Sequence, residues 1–451
     1  MLMNIRDYVD SILSSVKPKN NRILIVFIFM GISVIIDSQI GIISDFIPEY
    51  ISSLPGILLY GGLTVFLILS SFYIIYHVKS FEKITKVKYI HFKLVFSIIF
   101  ISQILIAIML TSIIIQFAIF QEYQITFLYI IHIISYGIWI GILGLLTRAF
   151  ILWYKNFDKN ILILIFTLAM IAYVANGLFG LIYTLDALSQ QEPIISLGDV
   201  AYFPEFSNVA IGSQINLINS GCSILAYILT WIGSVKLLYR YLHRIGRFNF
   251  WSIMIVSLIY YNIEFPLFAL GYLDPFGEAN AFFNILLFSF SGILAGAIFG
   301  ISFLSIARTM KIGSAVRTQL MLTAFGFLFF YITGSANATQ AAYPPYGVLS
   351  ISLIGFSCYL IYSGLYTAAQ TVSQDNALLR SIRKSVTEQA NFLGGIGTAQ
   401  RNKELESRVL KIAQNLEEEI KEKSGVETSL TENEVVDYVQ YVINEMHGNK
   451  K

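Results

Sequence analysis

The sequence predicts an all-α fold: a polytopic bundle of about ten transmembrane helices with a short cytosolic helical tail. Three observations predict it. Of 451 residues, 56% are hydrophobic and only 13% charged, where soluble domains carry about 25%, so most side chains must face something other than water. Ten continuously apolar stretches, near 23–44, 56–77, 94–119, 126–147, 160–184, 214–235, 251–273, 281–306, 318–337 and 347–369, reach the roughly 20 helical residues a bilayer crossing needs. The 30 Lys and Arg fall only before the first stretch, in every second connection, and after the last.

Residues 1–22 form a cytosolic N-terminal segment. Ile5, Val9 and Ile12 share one helical face, which suits either an interfacial helix or a short solvated one. No small-residue cleavage site follows the first apolar run, so it reads as a retained anchor. The runs do not alternate in polarity, which argues against strands, and in lipid each segment must satisfy its own backbone hydrogen bonds. Bases then mark alternate connections: Lys79 to Lys93 after segment two, Arg148 to Lys159 after four, Lys236 to Arg247 after six, Arg308 to Arg317 after eight. By the positive-inside rule both termini are cytoplasmic in a multi-pass protein of the cell membrane.

Within the transmembrane domain, 23–369, Gly292, Gly296 and Gly300 in segment eight and Gly137 and Gly141 in segment four stand at four-residue spacing. Small residues so placed let helix backbones approach, within the chain or in a homo-oligomer. The connection at about 185–213 suits a lid, a ligand surface, or a plain loop packed over helix ends. Asn337-Ala338-Thr339 is a glycosylation sequon on the outer side. Cys222 and Cys358 lie in separate segments without CxxC spacing, so neither a metal site nor redox chemistry is expected of them.

After residue 370 the composition turns polar. The last membrane helix is expected to continue inward until "GGIG" at 394–397 hinges it. Leu405, Val409, Ile412 and Leu416 then follow at 4-3-4 spacing, the seam of a short coiled coil within 370–424. Thr431 and Glu434 form a capping box opening a terminal amphipathic helix in 425–451, with Val435, Val439, Val442 and Met446 on one face. The stretch from Arg317 to Val386, with "AYPPYG" at an outer turn and "SQDNALLRSIRKS" at the membrane exit, resembles a family of uncharacterised archaeal polytopic membrane proteins. The resemblance covers roughly the C-terminal half and implies location and architecture, with no activity attached.

Three ionisable groups fall within the apolar runs: Asp37, His132 and Glu264. Counted along their helices at 1.5 Å per residue, all lie in the outer third of a roughly 30 Å core. Tyr261 and Asn262 accompany Glu264, and Pro266 leaves the Asn262 carbonyl without its usual donor, which predicts a kink and a polar pocket. Ligand or proton binding at these residues stands beside a plainer role in helix packing, and packing is the better reading for His132. No Lys lies within a segment to anchor a Schiff base, and P-loop, HExxH and GxSxG motifs are missing. No cofactor and no nucleic acid is called for. The reading is a non-enzymatic sensor or scaffold in the lipid bilayer, coupling its bundle to a cytosolic protein partner through 370–451. The alternative is a secondary transporter or channel using an outer-half pocket around Glu264 and Asp37. A membrane enzyme lacks any recognisable site.

Overall fold

The computed structural model describes residues 21–43, 51–85, 90–156, 160–196, 210–262, 281–311, 314–334, 343–383 and 387–424. Among the described residues, nine helices are long and apolar enough to cross a membrane. They correspond to segments one to six and eight to ten. The seventh enters as a helix ending at Asn262, and its remainder, with Glu264, Pro266 and Gly271, lies outside the described residues. The chain is a multi-pass membrane protein.

The elements run α1 (Asn21–Ile43), α2 (Leu54–Thr85), α3 (Ile90–Phe120), β1 (Glu122–Gln124), α4 (Thr126–Lys155), α5 (Ile161–Ser189), β2 (Ile194–Ser196), α6 (Ala210–Leu238), α7 (Leu242–Ile245), α8 (Arg247–Asn262), α9 (Ala281–Thr309), α10 (Ala315–Gly334), α11 (Val348–Ser352), α12 (Ile354–Gln374), α13 (Asn376–Arg383) and α14 (Glu388–Ser424). Local chemistry sets several boundaries. Asn160 caps α5, its Oδ1 accepting the Leu162 N–H at 2.9 Å. Gly246, at φ +90°, turns the chain between α7 and α8, a conformation that costs glycine nothing.

The hub is the α11–α12 span, which is buried without a break from Val348 to Gln370, whereas the α3 span presents most of its apolar side chains outward, as lipid contact requires. Glycines bring the hub helices together. A Cβ on Gly326 of α10 would lie 2.7 Å from the Ile361 nitrogen of α12, and one on Gly364 of α12 would lie 2.7 Å from the Thr323 nitrogen, so the two backbones touch where they cross. Gly296 and Gly300 act as their spacing predicts: Cβ atoms there would sit 2.8 Å from the Leu328 carbonyl oxygen and 2.9 Å from that of Ala324, which packs α9 on α10 within one chain. Gly292 is buried on the same helix. Gly137 and Gly141 differ. Nothing described lies within 4 Å of a Cβ at either, because α4 buries its opposite face, through Leu128, Ile131, Ser135, Ile138 and Ile142. The small residues that bring α4 and α5 close are Gly177, against Trp139 and Ile140, and Gly180, against Tyr136.

Opposite the basic connections, β1 and β2 pair antiparallel, Tyr123 facing Ile195, and both of those side chains are buried. The described start of the long connection is thus fastened over helix ends. Residues 197–209 lie outside the described part.

The tail departs from its expected course. The last membrane helix stops at Asp375, whose Oδ1 accepts the Leu378 N–H at 2.9 Å and caps α13. At the expected hinge, 394–397, the helix does not break. Helix α14 runs unbroken for 37 residues through it. Its glycines serve contact instead: a Cβ on Gly394 would meet Ile382 at 3.1 Å, and one on Gly397 would overlap the Val372 side chain. Residues 1–20, Asn337 and the capping-box helix of 425–451 lie outside the described residues.

Candidate functional site

Three polar assemblies stand out. The first is at the end bearing the basic connections, where α14 meets the bundle. Between Glu388 and Arg401 the chain has no charged residue, and its side chains from Gln389 to Gln400 are buried except Asn391. Gln389 donates from Nε2 to the Leu237 carbonyl at 2.6 Å. Phe392 lies between Phe166 and Phe303, ring centroids 5.4 and 6.4 Å away. Trp153 donates from Nε1 to Gln400 Oε1 at 3.0 Å, and Asn402 donates to the Asn156 carbonyl at 3.1 Å. Arg401 donates to Asn376 at 2.6 Å. The membrane-helix partners, Leu237, Phe166, Phe303, Val372 and Trp153, come from five helices, each within about 9 Å of its basic end at 1.5 Å per residue. The first turns of α14 therefore lie across that end of the bundle.

Beyond Gln400 the helix emerges. Leu405, Val409, Ile412 and Leu416 are 37%, 38%, 58% and 52% exposed, so the predicted seam stands open among the described residues. At the point of emergence, burial, and then the positive charge of Arg148, hold the Lys403 ammonium below its ordinary pKa.

The second assembly is in the middle of the bundle around Tyr261. The Tyr173 and Tyr331 hydroxyls lie 2.5 Å apart, and Tyr173 also meets Thr230 Oγ1 at 2.9 Å. Tyr227 stacks on Tyr261 at 4.0 Å and donates to the Ser257 carbonyl at 2.9 Å. Ser223 Oγ lies 3.1 Å from the Tyr261 hydroxyl. Four tyrosines from α5, α6, α8 and α10 thus meet, Tyr173, Tyr227 and Tyr331 buried and Tyr261 partly so. Asn262 turns back on its own helix, donating to the Leu258 carbonyl at 2.6 Å. Of these residues only Tyr261 and Asn262 were legible from their position beside Glu264.

The third assembly is at the opposite end, where Asp37 is fully buried. Its Oδ1 accepts the Gly347 N–H at 3.1 Å, and its Oδ2 accepts the Ser350 N–H and hydroxyl, each at 2.7 Å. Gly347 precedes α11 and has no side chain to cap it, so α1 supplies the capping carboxylate from elsewhere in the fold. Gly41 allows the approach: a Cβ there would stand 3.0 Å from the Gly347 nitrogen. His132 lies apart from this cap. Its Nδ1 bonds the Leu128 carbonyl at 2.8 Å, while its Nε2, with Ser135 Oγ and Trp139 Nε1, has no hydrogen-bond partner among the described residues. No hydrogen bond or ring contact there joins Asp37, His132 and Tyr261.

No model of a known protein family matches the chain, nor does any curated protein or solved structure.

Proposed function

We infer that the protein is a non-enzymatic membrane transducer or scaffold, which holds one end of a long helix in its bundle and presents the other to a protein partner. One observation supports this above all. Helix α14, about 55 Å long at 1.5 Å per residue, is gripped by five membrane helices and one short one through its first turns and carries an open apolar seam in its distal part. Because the helix is continuous through 394–397, displacement of the gripped end would pass along it to the seam. On this reading the basic end faces the cytosol of a cell, by the positive-inside rule, and the partner is a cytosolic protein with a complementary apolar helix face. The resemblance to archaeal polytopic proteins agrees with this architecture and adds no activity.

Capture by the full-length protein in detergent tests the reading. The expected result is a cytosolic partner retained by wild type and lost by Leu405→Asp/Ile412→Asp, at exposed positions where the bundle stays intact. Equal retention by both proteins, or none by either, would overturn it.

A transporter is the second reading, favoured by the polar face of α6. Asn219, Ser223, Tyr227, Thr230 and Ser234 follow at helical spacing along the membrane-crossing helix. They meet Asn176, Tyr261, the Ser257 carbonyl, Tyr173 and Ser302 respectively, on α5, α8 and α9. The line ends at the Leu237 carbonyl beneath Gln389, so α14 would be the gate. Asp37, whose two oxygens cap α11, is no part of this route.

A further inference from the structure

We propose that the turn between α6 and α8, residues 236–251, binds the phosphate of an anionic phospholipid in the leaflet at the basic end of the bundle. Charge, exposure and a rigid scaffold support such a site, whatever the role of α14. Lys236, Arg240, Arg244 and Arg247 lie within 12 residues, and no Asp or Glu stands between Glu205 and Glu264 to offset them. The first three follow at four-residue spacing through the end of α6, the 3-10 turn Tyr239–Tyr241 and α7, and Arg247 opens α8. All three arginines are exposed, and their side chains have no ion pair or hydrogen bond among the described residues. Like charges so gathered repel one another until an anion meets them.

The other basic connections lack this combination. After α2 the five bases, from Lys79 to Lys93, are all lysines. After α4, Arg148 stands with two lysines. After α9, Arg317 is buried, and both it and Arg308 interact with other groups of the protein. A guanidinium grips phosphate through two parallel N–H bonds, whereas an ammonium acts as a point charge. Three exposed arginines in one turn therefore mark a phosphate site rather than a diffuse positive surface. The scaffold beneath them is firm. Phe250 is buried against Tyr239 and Trp251, ring centroids 6.4 and 5.7 Å away, which ties the end of α6 to the start of α8. One turn further in, Trp231 donates from Nε1 to the Met254 carbonyl at 3.0 Å. Phe248, by contrast, is 83% exposed, more than any other large apolar side chain described. A ring so placed at the end of membrane helices, beside exposed Tyr239 and Trp251, suits the belt of head groups and upper acyl chains. That makes the occupant a lipid and not free phosphate.

Native mass spectrometry of the full-length protein in detergent, titrated with phosphatidylglycerol, phosphatidylcholine or inorganic phosphate, tests the site. Wild type is expected to bind phosphatidylglycerol about 100-fold more tightly than phosphatidylcholine. Arg244→Gln/Arg247→Gln, at exposed positions where the bundle stays intact, should weaken phosphatidylglycerol about 25-fold, at roughly 5-fold per base. Arg148→Gln/Lys155→Gln removes two exposed bases at the end of α4 and should leave that affinity unchanged. Equal weakening by the two pairs would overturn the proposal, because it would assign binding to overall positive charge. Equal affinity of wild type for the two lipids would overturn it too. So would inorganic phosphate that displaced phosphatidylglycerol at equal concentration, which would make the ligand a free anion. Arg244→Lys/Arg247→Lys keeps the charge and should restore only part of the lost affinity, and full restoration would overturn the guanidinium grip.

Discussion

The two ends of the bundle use buried polar side chains in opposite ways. At the end opposite the basic connections, a single carboxylate binds two backbone N–H groups and a hydroxyl, and thereby fixes the start of α11. At the basic end, α14 is held by neutral amides, one indole, aromatic packing and glycine contacts. Neutral hydrogen bonds contribute about 1 kcal/mol net, and those to charged groups about twice that. Breaking the amide set leaves no charge stranded, whereas removing Asp37 leaves two backbone N–H groups without an acceptor, the Ser350 hydroxyl keeping the Val34 carbonyl at 3.1 Å. The contrast teaches that the Asp37 end is fixed by a charged cap, whereas the basic end is joined by neutral contacts that can part without stranding a charge.

The largest expected effect tests the fixed end. Asp37→Ala should lower the stability of the whole bundle by about 3 kcal/mol, from two backbone N–H groups left unpaired, measured by unfolding in detergent. Asp37→Asn should recover part of it. Unchanged stability in Asp37→Ala would remove the capping role. Next comes the releasable end. Phe392→Ala withdraws a ring from between Phe166 and Phe303, at a cost of about 3 kcal/mol. The loss should stay local: faster amide exchange across 388–400 with the unfolding midpoint of the bundle nearly unchanged. Global destabilisation equal to that of Asp37→Ala would erase the distinction between the ends.

The smallest effect is electrostatic. Lys403 binds its proton less readily in the folded protein than in the unfolded chain, through burial and Arg148. The resulting penalty is full at neutral pH and is relieved as pH rises through the lowered value toward 10.5. Lys403→Gln should therefore slow the release of α14 slightly at neutral pH, with the gain vanishing in strong alkali. A variant that released faster at neutral pH would reverse the sign.

Much of this was readable from residue types alone. Continuous apolar runs with bases in alternate connections define a membrane bundle, because lipid admits few other backbones and charge asymmetry sets topology. The Gly296 and Gly300 pair was legible for the same reason: spacing on one helix is a local property. Gly137 and Gly141 have that same spacing and no described neighbour, since spacing does not say which face of a helix meets its neighbours. The uncharged stretch from Gln389 to Gln400 was a visible signal of burial inside a charged tail. Its "GGIG" suggested a hinge because glycine lowers helix propensity, yet close packing against Val372 and Ile382 outweighs that cost.

By itself, then, the sequence determined that this chain is a helical membrane protein, where nine of its spans run and which tail residues form a seam, because these follow from solvent and period. Only the tertiary structure decided that Asp37 caps a helix 310 residues away in the chain. The same holds for the meeting of four tyrosines from four helices, and for the return of α14 across the bundle end. Each depends on distant segments meeting in space, and no local pattern encodes that.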